Sequence, residues 1–177
     1  MRLFIGIGVP ARTAEALANA ATTLVGASQA TRMRWTPPAN MHITLSFLGQ
    51  VHEARRDAIE QTLARTRAPR LSIELNGVGA FERVGVIFVD VKHTAALLAL
   101  AEQVITTMQS CGFARESRPY SPHITLARTR DRYRLRSIES HDPVFYQSFD
   151  ATEFRLYQSV TRPGGAQYEV LHSFPLA

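Results

Sequence analysis

Cysteine is nearly absent from this 177-residue sequence, which contains Cys111 alone. A single thiol excludes an internal disulfide framework and any metal site built from several cysteines. Long hydrophobic runs are also missing, since the apolar stretches stay under about ten residues and a membrane helix needs roughly 20. The opening segment 1–10 is apolar but short, and Arg12 and Glu15 follow it at once, so we interpret it as a first strand rather than a signal peptide. These absences predict a soluble, cytoplasmic protein without a membrane segment.

Lysine is equally rare, since only one of the 20 basic residues is a lysine and the others are arginines. Against 15 acidic residues they give the chain a net charge of +5. The window 115–136 holds seven arginines against Glu116 and Asp131, a balance equal to the whole net charge. Positive charge concentrated in this way favours an anionic partner such as nucleic acid or a phosphorylated metabolite. Charge alone leaves a solvated arginine-rich loop open as the alternative.

The rest of the composition is that of a globular domain, with 45% apolar and 20% charged residues. Disorder, collagen and coiled coil are therefore poor fold classes for this chain. Periodicity and turn residues predict strands over 2–8, 41–48, 71–76, 85–91, 123–128, 152–160 and 167–174, and helices over 11–25, 53–66 and 94–110. Gly77 and Gly79 predict a bend after the third strand, and Gly112 is expected to end the last helix.

The order of these predicted elements repeats. Strand, helix, proline-containing turn and strand follow one another over residues 2–48 and again over 85–128, with no long linker between the halves. This repeat predicts an internal duplication, with two βα lobes whose sheets are mixed or antiparallel.

One tetrapeptide, His-Ile-Thr-Leu, occurs twice, at residues 42–45 and 123–126. The copies lie 81 residues apart, and each follows a proline-containing turn and opens a predicted strand. A single His-x-Thr is a common polar surface pair and indicates little. Two copies at equivalent places in the repeat favour a shared function.

Strand geometry divides each copy into two sets of side chains, because alternate residues of a strand face opposite sides. The polar set is His42 and Thr44 in the first copy, and His123 and Thr125 in the second. The isoleucine and leucine of each copy are left for the core. If a pseudo-twofold axis relates the halves, two imidazoles and two hydroxyls surround one small target.

Two histidines across a cleft suit displacement at phosphorus, in which a neutral imidazole takes a proton and a protonated one gives a proton. Their unperturbed pKa of about 6.5 lets both forms coexist near neutrality. Threonine hydroxyls can donate hydrogen bonds to the non-bridging phosphate oxygens. Arg128 would face away from His123 on a regular strand, so a bend or strand end is needed to bring its guanidinium to the phosphate.

A metal site is an alternative use of histidine. No acidic residue or third histidine lies near either motif in the sequence. The remaining histidines, His52, His93, His141 and His172, are scattered without ligand spacing, and we interpret them as surface or internally satisfied residues. The sequence therefore predicts a site without a metal.

The segments around both motifs resemble a known family. Residues 34–49 (RWTPPANMHITLSFLG) and 118–128 (RPYSPHITLAR), supported by 2–7 and 153–159, resemble the 2H phosphoesterase superfamily. Within it they are most similar to the bacterial and archaeal RNA 2′,3′-cyclic phosphodiesterases, historically called 2′-5′ RNA ligases. The resemblance covers nearly the whole chain and is weakest over 129–150, a stretch that we expect to influence substrate choice.

The resemblance, together with the repeat, implies an α+β fold in one two-lobed domain over residues 1–177. Each lobe is expected to be a mainly antiparallel sheet with helices on its outer face, and a pseudo-twofold axis is expected to relate the lobes around a central cleft. The implied activity is hydrolysis of RNA terminal 2′,3′-cyclic phosphate to a 2′-phosphate, without a metal or cofactor. The implied partner is an RNA end that carries this cyclic phosphate, and we expect the protein to act as a monomer.

The same resemblance implies roles for single residues. His42 would be the proton donor and His123 the proton acceptor, an assignment that two identical tetrapeptides cannot make by themselves. Thr44, Thr125 and Arg128 would bind the phosphate. Ligation through a 2′-5′ linkage is also implied, since a 5′-hydroxyl can replace water as the attacking group.

Aromatic residues beside the motifs are candidates for stacking on terminal bases, namely Phe47, Tyr120 and Trp35. Packing in the core or the cleft wall is the alternative for Phe47 and Trp35. Two other functions stay open at this point. The enzyme could act on a small cyclic nucleotide or an ADP-ribose cyclic phosphate, or the chain could be an RNA-binding module without catalysis.

Overall fold

The computed structural model of the chain describes residues 1–26, 30–130, 135, 138–163 and 165–177. The strands are β1 (Arg2–Gly8), β2 (Arg34–Trp35), β3 (His42–Gln50), β4 (Leu71–Phe81), β5 (Val86–Val91), β6 (His123–Arg128), β7 (Ser148–Ala151), β8 (Glu153–Arg162) and β9 (Gly165–Pro175). The α-helices are α1 (Ala11–Ala21), α2 (Arg56–Leu63) and α3 (Ala95–Ser110). Short 3-10 turns cover Pro38–Asn40, Glu53–Arg55, Glu82–Val84 and Pro143–Tyr146.

The strands form one mainly antiparallel sheet in the order β7-β4-β5-β6-β3-β1-β8-β9, with β2 added beside β6. This order is symmetric about its centre, because β5 and β1 flank the β6–β3 pair, β4 and β8 follow, and β7 and β9 form the edges. The predicted α+β class with antiparallel strands is confirmed. The two halves of the sheet meet edge to edge where β3 pairs with β6. The internal duplication itself stays a prediction.

The two long helices connect the halves through a shared core. Helix α1 follows β1 and packs against β6, whereas α3 follows β5 and packs against β3, so each helix contacts the motif strand of the other half. Buried side chains from both helices and from both motif strands belong to one hydrophobic cluster. Since a fully buried leucine or isoleucine contributes about 1.5–3 kcal/mol, neither half could be separated without exposing a large part of this cluster.

Most predicted elements are confirmed, but several ends differ for local reasons. Helix α1 ends at Ala21 and not at 25, because the hydroxyls of Thr22 and Thr23 donate to carbonyls of the last turn and compete with helix continuation. Helix α2 covers only the middle of the predicted 53–66, since the residues before it form a 3-10 turn.

The predicted end of the third strand at residue 76 is wrong, whereas the predicted end of the last helix before Gly112 is confirmed. Strand β4 continues past the bend predicted at Gly77, whose φ of +88° accommodates an irregularity in its pairing with β5. Gly112 ends α3 as predicted: its N–H donates to Gln109 O, and the N–H of Phe113 donates to Met108 O. Strand β7 was not predicted, because its four residues are too few to show a period. The described part of the chain contains no helix with the length and hydropathy needed to span a bilayer.

Candidate active site

The two His-Ile-Thr-Leu motifs lie side by side on neighbouring strands. Ile43 of β3 pairs with Ile124 of β6 in an antiparallel ladder, which sets His42 opposite Thr125 and Thr44 opposite His123. Diagonal neighbours in such a ladder have Cα atoms about 7–8 Å apart, so the two histidines are near neighbours on one face of the sheet. The antiparallel pairing also makes the two motifs related by a local twofold axis.

The faces of the two strands separate as the period of two predicts. The isoleucine and leucine of each motif are at most 2% exposed and face the helices. The histidines and threonines are half-buried and face the opposite side. Gly6 lets β1 lie close to β3 at the first motif. A Cβ at this position would lie 2.7 Å from the carbonyl oxygen of Ile43 and 3.4 Å from the His42 ring.

The His42 ring is oriented by two hydrogen bonds. Its Nδ1 lies 2.7 Å from the carbonyl oxygen of Asn40 and its Nε2 lies 3.1 Å from Thr44 Oγ1. A carbonyl oxygen only accepts, so Nδ1 carries a hydrogen and the neutral ring offers the Nε2 lone pair. Phe4 and Tyr168 pack against the ring, with centroids 4.7 and 5.2 Å away.

His123 is held in the same way at the other end of the pair. Its Nδ1 donates to the carbonyl oxygen of Ser121 at 2.8 Å, which again leaves Nε2 for the cleft. Phe81 and Phe88 make T-shaped contacts with its ring, with centroids 5.1 and 5.5 Å away. Asp90 is the partner of His123 in the β5–β6 ladder and places a negative charge beside it. The corresponding partner of His42 in the β1–β3 ladder is Gly8, which has no charge.

Burial makes both imidazoles poorer proton acceptors than free histidine. Burial lowers the pKa of His42 to about 4, and the positive charges of His123 and Arg128 act in the same direction. Burial also lowers the pKa of His123, with Arg128 adding to the effect and with Ser121 O and Asp90 opposing it. Both rings are therefore mainly neutral near pH 7 before an anion binds.

Arg128 reaches the site through a bulge. Ile87 pairs with Ala127 but the next residue, Phe88, pairs with Thr125, so β6 carries one extra residue at Leu126–Ala127. Leu126 and Ala127 are both buried, and the alternation resumes with Arg128 on the face of the two histidines. Its positive charge lowers the pKa of both rings.

The first motif has a matching irregularity with a different side chain after it. Ile5 pairs with Ser46 and Gly6 pairs with Thr44, so β3 also carries one extra residue, at Leu45–Ser46. Phe47, the fifth residue after His42, occupies the position that Arg128 occupies after His123. Its side chain is 63% exposed, so the core-packing alternative does not describe it.

The other two candidate aromatic residues are more enclosed. Tyr120 donates its hydroxyl to the carbonyl oxygen of Thr44 at 3.0 Å, and burial raises the pKa of this phenol. Trp35 packs against the hydrophobic core and its indole N–H donates to Ala30 O at 3.2 Å. Of the three, Phe47 is the side chain that offers an open ring face.

A cavity opens at each end of the motif pair, because antiparallel strands begin at opposite ends. The cavity at the His42 end has a volume of about 740 Å³ and is bounded by the ends of β1 and β7, by residues 37–42, and by β8 and β9. The cavity at the His123 end has a volume of about 1000 Å³ and is bounded by β3, by residues 81–84 and by residues 114–123. Thr44 lines the second cavity together with His123.

Asn40 was not identified from the sequence as a functional residue. Besides accepting from His42 through its main chain, it binds β9 with its side chain, since Nδ2 donates to Ala166 O at 2.7 Å and Oδ1 accepts from Tyr168 N at 3.3 Å. The only sequence signal was its place two residues before the motif histidine, where Ser121 stands in the second copy.

The arginine-rich window 115–136 is only partly described. Arg115 pairs with Glu102 and Arg118 pairs with Glu116, whereas Arg132, Arg134 and Arg136 lie outside the described residues. The described residues contain no group of three His, Cys, Asp or Glu side chains arranged to hold a metal ion.

The family of the chain follows from comparison with known sequences. The family model of the 2′-5′ RNA ligase superfamily matches residues 10–162. The chain belongs to this superfamily. One similar protein is an RNA 2′,3′-cyclic phosphodiesterase from Archaeoglobus fulgidus, 32% identical over 98% of this chain and 99% of the relative. An Escherichia coli protein of the same name is 28% identical over 99% of this chain and 96% of the relative.

Solved structures of similar proteins have the same fold. The crystal structure of Escherichia coli LigT complexed with 3′-AMP has a TM-score of 0.82 and 28% identity, and the match covers 99% of this chain and 97% of that one. A crystal structure described as a phosphoesterase has a TM-score of 0.87 with 29% identity, and it covers 99% of this chain.

Proposed function

We propose that this chain hydrolyses terminal 2′,3′-cyclic phosphates of RNA to 2′-phosphates. The observation that carries the proposal is the antiparallel pairing of the two motifs, which sets two imidazoles diagonally on one face with both Nδ1 atoms bound to main-chain carbonyls. Membership of the superfamily and the names of the similar proteins support the RNA cyclic phosphate as substrate. Both motifs come from one chain, so a monomer suffices.

In the proposed mechanism the two histidines act on opposite sides of the phosphorus. His123 Nε2 takes a proton from water as the water oxygen forms its bond to phosphorus. The bond between phosphorus and O3′ breaks, and His42 Nε2 gives its proton to O3′. The 2′-oxygen stays bonded to phosphorus, which leaves a 2′-phosphate and a free 3′-hydroxyl.

Three side chains are proposed to bind the phosphate. Thr44 and Thr125 face the same side of the ladder as the histidines, so their hydroxyls can donate to the non-bridging oxygens where negative charge grows. Arg128 adds a guanidinium whose paired N–H groups match a phosphate. Its position just beyond the bulge lets it reach the phosphate from the second strand.

The bound phosphate has a further role at His42. With a pKa of about 4, the free imidazole holds little of the proton that it must donate at neutral pH. A phosphate anion between the rings offers the opposite charge and so raises the pKa of both. Proton donation by His42 is therefore expected to be linked to substrate binding.

The test is turnover of two substrates, each measured without EDTA and with EDTA. A cyclic-phosphate-ended oligonucleotide and 2′,3′-cyclic AMP are incubated separately with the protein, and products are separated by chromatography. Turnover of the oligonucleotide to a 2′-phosphate supports the proposal, whereas turnover of 2′,3′-cyclic AMP alone indicates a small-molecule phosphodiesterase. Turnover of neither indicates a non-catalytic RNA-binding module, and loss of activity on adding EDTA contradicts metal-independent chemistry.

The same site can join RNA ends in principle. A 5′-hydroxyl that takes the place of water gives up its proton to His123 and forms a 2′-5′ phosphodiester. Water is far more abundant than RNA ends, so hydrolysis is expected to dominate.

A further inference from the structure

A row of polar side chains crosses three strands at the second motif. The pairing of β4 with β5 is irregular at Asn76 and Gly77, which both lie opposite Asp90. Asp90 is in turn the ladder partner of His123 on β6. Asn76 Nδ2 donates to Asp90 Oδ2 at 2.9 Å, which holds the half-buried carboxylate in the row. Directly opposed residues of an antiparallel ladder have Cβ atoms about 4.5–5.5 Å apart, so this carboxylate is a near neighbour of the His123 imidazole.

The equivalent position beside the first motif is Gly8, which is the ladder partner of His42 on β1. A Cβ at Gly8 would lie 2.9 Å from the hydroxyl of Tyr157 and 3.0 Å from Nη1 of Arg155. The polar ends of these two side chains already fill the space that a carboxylate at position 8 would need. The ladder partners of the two histidines therefore differ by one full charge, although the motifs are identical.

The proposed mechanism moves a positive charge between the two histidines. Before the reaction His42 carries the proton that it donates to O3′, and afterwards His123 carries the proton that it takes from water. Exchange with solvent then returns both rings to their starting state. A fixed carboxylate beside His123 favours this movement, because a charge already placed where the opposite charge develops stabilises the transition state without reorganising.

We propose that Asp90, held by Asn76, is a positioning residue that makes His123 the proton acceptor and leaves His42 as the proton donor. This inference rests on the proposed function and supplies a physical cause for its assignment of the two histidines. Asp90 acts through the charge that forms on the His123 ring, and not through contact with the RNA.

Several other charged groups surround His123. Burial lowers the pKa of this histidine, Arg128 adds to the effect, and Asp90 opposes it. Removing the charge of Asp90 should therefore lower the pKa further. The remaining charged or titratable side chains around the ring lie on three elements: His42 on β3, Glu82 and Arg83 in the turn after β4, and Arg115, Glu116, Arg118 and Tyr120 in the segment before β6.

The test compares Asp90→Asn with two variants of the same row and with one control. Asp90→Glu keeps the negative charge, and Asn76→Ala removes the hydrogen bond to it. Asp57→Asn removes an exposed carboxylate of α2 that lines neither cavity. The kcat for a cyclic-phosphate-ended oligonucleotide is measured across the pH range from about 4 to 9, and ¹⁵N NMR titration of the free protein gives the histidine pKa values. Circular dichroism checks the fold of each variant.

We expect Asp90→Asn to lower the pKa of His123 and to leave that of His42 nearly unchanged. The acid limb of the kcat profile, where the acceptor must be neutral, should move to lower pH. The maximal kcat should fall by roughly 3–10-fold, the scale of the attraction between a carboxylate and an imidazolium at a partly exposed site. Asn76→Ala should cause smaller changes in the same directions, whereas Asp90→Glu should keep most of the wild-type profile and Asp57→Asn all of it.

A double variant separates this role from a structural one. Because Asp90 acts through His123, Asp90→Asn should cause no further loss of kcat in a His123→Ala background. An independent contribution to the fold or to substrate binding would instead multiply with the loss caused by His123→Ala.

Three results would overturn the proposal. They are an unchanged pKa of His123 in Asp90→Asn, a loss of kcat in this variant that is the same at every pH, or a loss that multiplies with that of His123→Ala. Absence of cyclic-phosphate hydrolysis in the wild type would instead contradict the proposed function itself. The NMR titration of the free protein does not depend on turnover, so it would still show whether Asp90 raises the pKa of His123.

Discussion

At the scale of single residues, two identical tetrapeptides have acquired unequal surroundings. Both rings pack against aromatic side chains, but His42 contacts Thr44 and has Gly8 as its ladder partner on β1, whereas His123 has Asp90 as its ladder partner on β5. The period of two predicts which side chains of each motif face the cleft, and the structure confirms it. Asp90 lies 33 residues before His123 in the sequence, so no local pattern could reveal this asymmetry.

Replacing either motif histidine should remove most of the activity. We expect His42→Ala and His123→Ala each to lower kcat by about 10²–10⁴-fold, because each removes a general acid or base. Turnover of a cyclic-phosphate oligonucleotide measures the effect, and circular dichroism checks the fold. His93→Ala, at an exposed histidine outside the site, is the control and should keep its rate. A near-normal rate in either motif variant would refute the paired mechanism.

Asn40 is expected to act by positioning His42. Asn40→Ala removes the two hydrogen bonds to β9 and so loosens the carbonyl that binds Nδ1. Because a small misplacement of a catalytic group can cost on the order of 100-fold, we expect kcat to fall by roughly 10–100-fold with KM little changed.

Two further measurements separate positioning from a general loss of stability. The ¹⁵N chemical shifts of His42 should show a mixture of tautomers in Asn40→Ala, whereas those of His123 should not change. Asn19→Ala, at an exposed position on α1, is the matched control. Unchanged ¹⁵N shifts of His42 together with an unchanged kcat would show that Asn40 only anchors strand β9.

At the scale of elements, the bulges at the ends of the two motifs determine which of the following side chains lie on the face of the histidines. The sequence predicts strands at 41–48 and 123–128, and both are confirmed near those bounds. It could not predict that Arg128 turns toward the histidines, because the extra residue at Leu126–Ala127 follows from pairing with β5 and not from local propensity. The pairing of β3 with β6 was beyond prediction for the same reason.

Replacing Arg128 should affect both substrate binding and the histidine pKa values. Its positive charge lowers the pKa of His42 and of His123, so Arg128→Ala should raise both, and NMR titration of the free protein measures the change. The same variant should raise KM for the oligonucleotide. Arg128→Lys should restore the histidine pKa values but only part of the binding, because an ammonium cannot bind phosphate through paired N–H groups.

The neighbouring exposed arginine provides a control for Arg128. Arg130 lies two residues further along the chain, and Arg130→Ala should leave the histidine pKa values unchanged. Histidine titrations that do not differ between the wild type and Arg128→Ala would place Arg128 outside the cleft.

At the scale of the whole molecule, one core supports both motifs. Each long helix packs on the motif strand of the other half, so the relative position of the two imidazoles depends on the complete fold. Amphipathic periodicity predicts the helices α1 and α3, but it does not say which strand each one covers. Burial of His42, which lowers the pKa of its imidazole, likewise depends on the complete fold.

The stability of the protein should decrease in mild acid because of His42. Its pKa is about 4 in the folded protein and about 6.5 in an unfolded chain, so the unfolded state binds more protons between these values. The free energy of unfolding should therefore fall as the pH is lowered from about 6.5 toward 4. Urea unfolding at pH 7 and pH 5 measures this loss, which should be smaller in His42→Gln. An equal loss in both proteins would contradict the low pKa.

The central claim is that both imidazoles contact one phosphate, and ¹⁵N NMR of histidine-labelled protein tests it directly during titration with inorganic phosphate. If both rings contact one phosphate, the Nε2 signals of His42 and His123 shift together, with one dissociation constant and one equivalent of phosphate. Both Nδ1 atoms should stay protonated throughout the titration. Shifts of one ring alone, or two independent binding curves, would contradict the claim.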